Sequence, residues 1–263
     1  MITGQTTRRL DPERESTSVL YSMTVPESSG TAWARTAEHL VEVMPHSYTN
    51  LTTRDDSVVT KSYQGPDARV RCAREAAVLS AVAGHLPVAP VLGSSDTSLS
   101  LRFMPGVPGQ ELIEAALAEP VLRACGQMLR RVHAIDPERA HVGDNRERSA
   151  VLVHGDYGPQ NILLDAATRE VTAVLDWEWA HAGDPVEDLA WCEWIIRMHH
   201  GAHVGALGSF FGAYGQRPAW AARQQAMVAQ CRNLLALSQR REPSGTSVHL
   251  WAQRLRATES WAE

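Results

Sequence analysis

Val151–Trp191, VLVHGDYGPQNILLDAATREVTAVLDWEWAHAGDPVEDLAW, is the stretch from which the rest of the chain is read. Two short apolar runs, Ile162–Leu164 and Val171–Leu175, flank the turn-like Ala166–Glu170 and predict an antiparallel hairpin. Pairing Asp165 with Val171 and counting back along the ladder puts Asn161 opposite Leu175, within about one residue of Asp176. An amide and a carboxylate then converge at adjacent strand ends. With no His or Cys cluster beside them, these hard oxygen donors suit Mg2+ held together with substrate phosphates better than zinc.

Upstream, Val151–Val153 reads as a third short strand that delivers His154, Gly155 and Asp156 into a loop closed by Pro159 and ended by Asn161. Asp and Asn often cap turns, so each residue alone has a structural explanation. Together they spell His-Gly-Asp-x4-Asn followed by Asp. That spacing is similar to the kinase catalytic loop, with Gly155 at the place of its Arg and Asp176-Trp177-Glu178 in place of Asp-Phe-Gly. With these two departures the segment resembles the aminoglycoside phosphotransferase and choline kinase family, small-molecule kinases with the protein-kinase fold.

The resemblance implies an α+β, bilobal, protein-kinase-like architecture. Residues 1–105 would be a nucleotide-binding lobe with an antiparallel sheet and one helix, and residues 106–263 a mainly helical catalytic and acceptor-binding lobe carrying the hairpin. It implies Asp156 as the catalytic base, and Asn161 and Asp176 as holders of Mg2+ on ATP, with GTP as the alternative co-substrate. Phe103-Met104-Pro105 would be the linker whose backbone reads the base edge, and Leu163 and Leu175 the apolar floor beneath it. The family's phosphate-covering turn falls on His46–Asn50, where Ser47 is the candidate phosphate contact although the turn has no glycine.

Lys61 is the only lysine among 25 basic residues, the rest being arginine. In the predicted strand Ser57–Tyr63 it shares a face with Val59 and Tyr63. A chain so biased to arginine keeps a lysine where a compact charge on a flexible stem is wanted, as at a phosphate. The predicted helix Asp67–Ala83 has an apolar stripe of Cys72, Ala76, Leu79, Val82 and Ala83, and Glu75 lies within it. A carboxylate facing a core needs a cation, and Lys61 is the natural one; the alternative is an outward pair with Arg71. No GxGxxG or Walker A motif is present.

Elsewhere, residues 1–31 read as a loose lead-in with at most one strand near Val19–Val25, and Ala32–Val43 as amphipathic. His85–Leu92 and Ser98–Met104 are predicted strands, Glu111–Ala134 is helical in pattern, and His141–Arg148 is a short polar loop. Asp184 is placed to cap a helix that has Pro185 at its first position and Glu187 and Asp188 in its first turn. Two or three helices end the chain, the last with a docking stripe of Val248, Trp251, Ala252 and Leu255.

At 263 residues and 44% hydrophobic the chain can bury one good core or two modest lobes. No apolar run approaches a membrane span, no secretory leader is recognisable, and the four cysteines are far apart, so a cytoplasmic protein is expected. Residues 106–200 carry 8 basic and 16 acidic side chains, residues 201–263 carry 7 and 3, and no Lys/Arg stripe suggests nucleic acid. The expected partner is a small hydroxyl acceptor bound by a monomer or weak homodimer. The acidic middle fits a cationic acceptor such as an aminoglycoside or similar antibiotic, with Glu178 and Glu193 as candidate contacts. The other readings are a kinase of a small metabolite (choline, an amino-alcohol or a sugar) and a non-catalytic nucleotide-binding relative; a metal-assisted hydrolase would want a His cluster that is missing.

Overall fold

A computed structural model describes residues 42–43, 50–65, 67–140, 142 and 150–263. The described residues all belong to one compact unit, His39–Glu263. The lead-in, the strand near Val19–Val25, most of the amphipathic stretch Ala32–Val43, Ser47 and most of the loop 141–148 lie outside them.

The first layer is a five-stranded antiparallel sheet. Strands β1 (Glu42–Val43), β2 (Asn50–Asp55) and β3 (Val58–Tyr63) are followed by helix α1 (Ala68–Val82), β4 (Val91–Ser94) and β5 (Ser98–Arg102), in the spatial order β1-β2-β3-β5-β4. The β2–β3 turn uses Asp56 at φ 47, a left-handed position that Asp tolerates better than most side chains. Lys61 is opposite Thr52 on one side and Leu99 on the other, so it sits mid-sheet with Tyr63 on the buried face. Helix α1 lays Cys72, Glu75, Val78, Leu79 and Val82 into the interior.

Glu42–Val43, the end of the amphipathic stretch, forms the edge strand β1. One sequence expectation fails in this region. His85–Pro90 is not strand, because Pro87 and Pro90 lack the N–H a ladder needs. Their carbonyls are used instead: Pro90 accepts from the Arg102 amide and Pro87 from the Val174 amide of the predicted hairpin, at 2.9 and 2.8 Å.

After the linker comes β6 (Val107–Pro108), then α2 (Gly109–Glu114) and α3 (Ala118–His133), two helices over the stretch Glu111–Ala134 that reads as helical. Pro120 explains the break. In a continuous helix its ring would strike the carbonyl of residue 116, but in the first turn of α3 it is tolerated. Ala116, at φ 65, makes the corner.

Strand β7 (Val151–Val153) pairs with β10 (His181–Gly183), while β8 (Ile162–Leu164) and β9 (Val171–Val174) form the predicted hairpin with β6 alongside. Helix α4 (Val186–His199) begins one residue later than expected, with its first amide on Asp184 Oδ1 at 2.8 Å. Three helices follow: α5 (Leu207–Tyr214), α6 (Trp220–Arg241) and α7 (Thr246–Ser260). One cluster joins Leu122, Leu129 and Phe210, and a second gathers Trp191, Trp194, Met227 and Cys231, against which Trp251 and Leu255 of the predicted stripe pack. All four cysteines are buried free thiols.

Phe210 is fully buried in α5, whose backbone approaches α3 closely at Gly126. Phe210→Ala should cost about 3–5 kcal/mol in chemical denaturation. A loss below about 1 kcal/mol would mean that α5 is not part of the main core.

Candidate active site

The loop after β7 is held from beneath by one carboxylate. Asp188, in the first turn of α4 and fully buried, accepts from the His154 amide at 2.7 Å and from the Gly155 amide at 2.9 Å, and contacts His133 Nε2 at 3.1 Å. Burial opposes its ionisation, but His133 and these amides hold its carboxyl below the usual range. His154 Nε2 faces the Leu175 carbonyl at 2.8 Å and must donate to it, so Nδ1 is left to accept from the Asp156 amide at 3.3 Å. Burial pushes the His154 pKa down, consistent with a neutral ring. Gly155 has φ 84, and a Cβ there would lie 2.6 Å from the Trp179 carbonyl oxygen. No side chain, the expected Arg included, fits that place without moving the backbone.

Asp156 therefore projects from a fixed backbone. Its Oδ1 accepts the Trp191 indole N–H at 2.7 Å, and its Oδ2 accepts from Asn161 Nδ2 at 3.0 Å. Asn161 Nδ2 also bonds the Asp156 carbonyl at 2.8 Å, which engages both amide hydrogens and leaves the side-chain carbonyl oxygen for a cation. Desolvation, with the Asp176 charge adding to it, pushes the Asp156 carboxyl up to about 7.

The hairpin brings Asp176 alongside. Ile162 is paired with Val174 and the Leu175 amide donates to the Asn161 carbonyl at 2.9 Å, so the expected register holds at the site end. It slips at the other end, where Leu164 pairs with Val171 and the Asp165 amide meets Glu170 instead of Val171. The extra residue, Thr172, donates its hydroxyl to the Pro105 carbonyl of the linker at 2.7 Å. Asn161, Leu163, Ala173 and Leu175 share one hairpin face, Leu163 buried and Leu175 half-buried.

Lys61 Nζ lies 2.6 Å from Glu75 Oε2 and 2.8 Å from Asp176 Oδ1. Tyr63 donates to the same Glu75 oxygen, and the Trp177 amide reaches Glu75 Oε1 at 3.3 Å. Burial alone would lower the Lys61 pKa, but Asp176 and Glu75, with Glu178 behind them, raise it above the ordinary lysine value. The ammonium stays charged. The same ammonium overcomes the effect of burial on Asp176 and holds its carboxyl below the usual range. Asp176 keeps 33% of its side chain exposed, against 1% for Glu75, so Asp176 alone of the pair can also meet a ligand. It adopts φ 66, an uncommon left-handed position that Asp tolerates better than most side chains. Glu75, Asp176 and Glu178 bring carboxylate oxygens within 4.8 Å of one another. The cation on Glu75 and Asp176 is already the lysine.

Four expectations need correction. Glu178 does not face an acceptor: it is 1% exposed and accepts from Arg71 Nη1 at 2.8 Å and Asn50 Nδ2 at 2.9 Å. Arg71, considered only as a surface partner of Glu75, is itself buried in α1 and makes this second ion pair. Glu193 is not an amine contact, because it is fully buried between Arg223 and Arg197. In the linker, the Phe103 amide is bound to the Ser57 carbonyl at 2.7 Å and its ring lies under Arg54, so that amide is not available to a base. Trp191 was missed as a neighbour of Asp156. The available signal was its place three residues after Asp188, on the same helical face.

Residues 45–150 and 138–226 match the family described as the phosphotransferase enzyme family. The chain belongs to that family. The phosphotransferase resembles the solved macrolide 2'-phosphotransferase of Brachybacterium faecium, at 18% identity over 85% of this chain and 93% of that one, with a TM-score of 0.59. It also resembles the wild-type aminoglycoside 2'-phosphotransferase-IIIa, at 12% identity over 84% and 92% with a TM-score of 0.67. At such identities the likeness shows the fold, which is kinase-like. Among curated proteins, acyl-CoA dehydrogenase family member 10 of Mus musculus is 44% identical over 46 residues, 18% of this chain. Family member 11 of Gallus gallus is 36% identical over 64 residues, 24% of this chain. The matches span 4% and 8% of those proteins' length.

The raised Asp156 value has a thermodynamic consequence. An ordinary carboxyl in the unfolded chain ionises near pH 4, whereas this one ionises near 7, so its ionised form destabilises the native state, most fully above pH 7. Asp156→Asn should therefore raise the melting temperature of the metal-free protein at pH 8 by about 2–4 °C per kcal/mol recovered. The gain should shrink steadily between pH 7 and pH 5. A lower melting temperature for the variant at pH 8 would contradict this.

Proposed function

We propose that this phosphotransferase moves the γ-phosphoryl group of ATP to a hydroxyl of a small molecule, with Asp156 as the base. The reading rests on one arrangement above all: Asp156 is bonded to Asn161, and the next strand carries Asp176 on the ammonium of Lys61, itself fastened to Glu75.

The nucleotide would lie in front of the hairpin. Its base would be read by the Met104 backbone and rest on Leu163 and Leu175, and its α- and β-phosphates would engage Lys61. Ser47 remains a candidate for covering the phosphates. Residues 1–105 would form the nucleotide lobe and residues 106–263 the catalytic lobe. Among proteins of this fold, one structure carries GDP and another carries ATP with streptomycin, so GTP stands beside ATP as a co-substrate.

Asn161 and Asp176 fit Mg2+, because an amide oxygen with both its hydrogens engaged and a partly exposed carboxylate are hard donors. When bound, Mg2+ would neutralise charge on the β- and γ-phosphates. The chain's own residues do the rest. Asp156 orients the acceptor hydroxyl and takes its proton as the acceptor oxygen bonds to the γ-phosphorus. The bond from that phosphorus to the β,γ-bridging oxygen breaks, and its electron pair leaves on the nucleoside diphosphate. Lys61 keeps the phosphates in line, so positioning and electrostatics supply most of the rate.

The leading acceptor class is an aminoglycoside or similar antibiotic, supported by the acidic character of residues 106–200 and by similar structures solved with kanamycin and gentamicin. The engagement of Glu178 and Glu193 in internal ion pairs favours a second class, a small metabolite without several amines. A panel of aminoglycosides, amino-alcohols and sugars scored for acceptor-dependent ADP release distinguishes them. Asp156→Ala should abolish that release with nucleotide binding retained, while Asp176→Ala should also weaken Mg-nucleotide binding. Unchanged turnover in the Asp156 variant, or ADP release with no member of the panel, would contradict the reading.

A further inference from the structure

Helix α4 touches the catalytic loop twice on one face. Asp188 holds the backbone that leads into Asp156, and Trp191, one turn later, donates its indole N–H to Asp156 Oδ1 at 2.7 Å. The indole has little freedom to turn. Its ring is stacked on Trp194 at 4.4 Å between centroids and 8° between planes, and Trp251 of α7 lies 6.4 Å from Trp191 and 5.7 Å from Trp194. Trp194 is itself tied by its N–H to Thr258 Oγ1 at 2.8 Å, a fully buried threonine in α7. Arg254 covers the outer ring, 4.7 Å from the Trp251 centroid.

We infer that Trp191 is a positioning residue for the reaction proposed above, fixing the plane of the Asp156 carboxylate so that a remaining lone pair faces the acceptor hydroxyl. The inference rests on Asp156 being the base. Indole is a donor only, so it neither takes the reaction proton nor competes for the acceptor. With Trp191 on one oxygen and Asn161 on the other, rotation of the carboxylate about its bond would break both hydrogen bonds. A base free to turn would spend much of its time misaimed, and misplacement on the scale of 1 Å costs about a hundredfold in rate. The aromatic stack makes α7 a buttress of this geometry, although none of its residues is needed as a catalytic residue.

The test compares wild type, Asp156→Ala, Trp191→Phe and a protein carrying benzothienylalanine at position 191. The last keeps the ring shape and stack but has sulfur in place of the N–H. Turnover is followed as ADP release from Mg-ATP with the most active acceptor of the panel. Both position-191 variants should lose about ten- to hundredfold in kcat, with the nucleotide KM within about twofold and the melting temperature retained in the isostere. If Asp156→Ala is inactive but the isostere turns over at the wild-type rate, or loses through KM and melting temperature instead of kcat, this inference fails and the proposed base stands. Full turnover in Asp156→Ala would remove both.

Discussion

The buried ammonium of Lys61 is the constraint on which the rest of the site depends. It is gripped by Glu75, 14 residues along the chain, and by Asp176, 115 residues along, and so joins the first sheet, α1 and the end of the β8–β9 hairpin at one point. A charge in this position is tolerable only because it is paired: removing one partner of a buried pair typically costs about 3–5 kcal/mol, since the other is left uncompensated. The second pair, Arg71 with Glu178, repeats the connection one turn away on α1 and two residues on from Asp176. Asp176 is therefore bracketed by ion pairs, which accounts for a non-glycine residue being kept at φ 66.

The loop that carries Asp156 is held with similar economy from the other side. Asp188 orders its backbone, His154 links it to the carbonyl of Leu175, and Trp191 reaches the Asp156 carboxylate. Helix α4 and strand β9 thus locate the proposed base and the proposed metal donors relative to each other. The cost is visible in Asp156, whose raised pKa marks a carboxylate kept in a desolvated place beside another negative charge. Such a group is unfavourable for stability and well suited to taking a proton near neutral pH.

Much of this was legible before any coordinates because it is local. The apolar runs and the turn between them placed Asn161 beside the end of β9, and the lone lysine and the carboxylate in an apolar stripe identified the Lys61–Glu75 pair. The helix break before Pro120 follows an equally local rule but was not read from the sequence. What was not legible is the pairing of charges distant in sequence. Arg71 with Glu178 and Arg223 with Glu193 are separated by 107 and 30 residues, and nothing in either neighbourhood marks these groups as buried. A charged residue is normally expected outside, and here the tertiary fold overrides that expectation. The bulge at Thr172 was hidden for a related reason: its partner, the Pro105 carbonyl, belongs to another part of the chain.

The central claim is that Lys61, Asn161, Asp156 and Asp176 converge on one magnesium-bound triphosphate. A crystal structure of the protein with Mg2+ and a non-hydrolysable ATP analogue tests it most directly. The account predicts Mg2+ about 2.0–2.1 Å from the side-chain oxygens of Asn161 and Asp176. It also predicts Lys61 Nζ on the α- and β-phosphates, and Asp156 beside the γ-phosphate without binding the metal. A triphosphate seated away from Lys61, or a metal held by Glu75 and Glu178 with Asn161 turned aside, would contradict it.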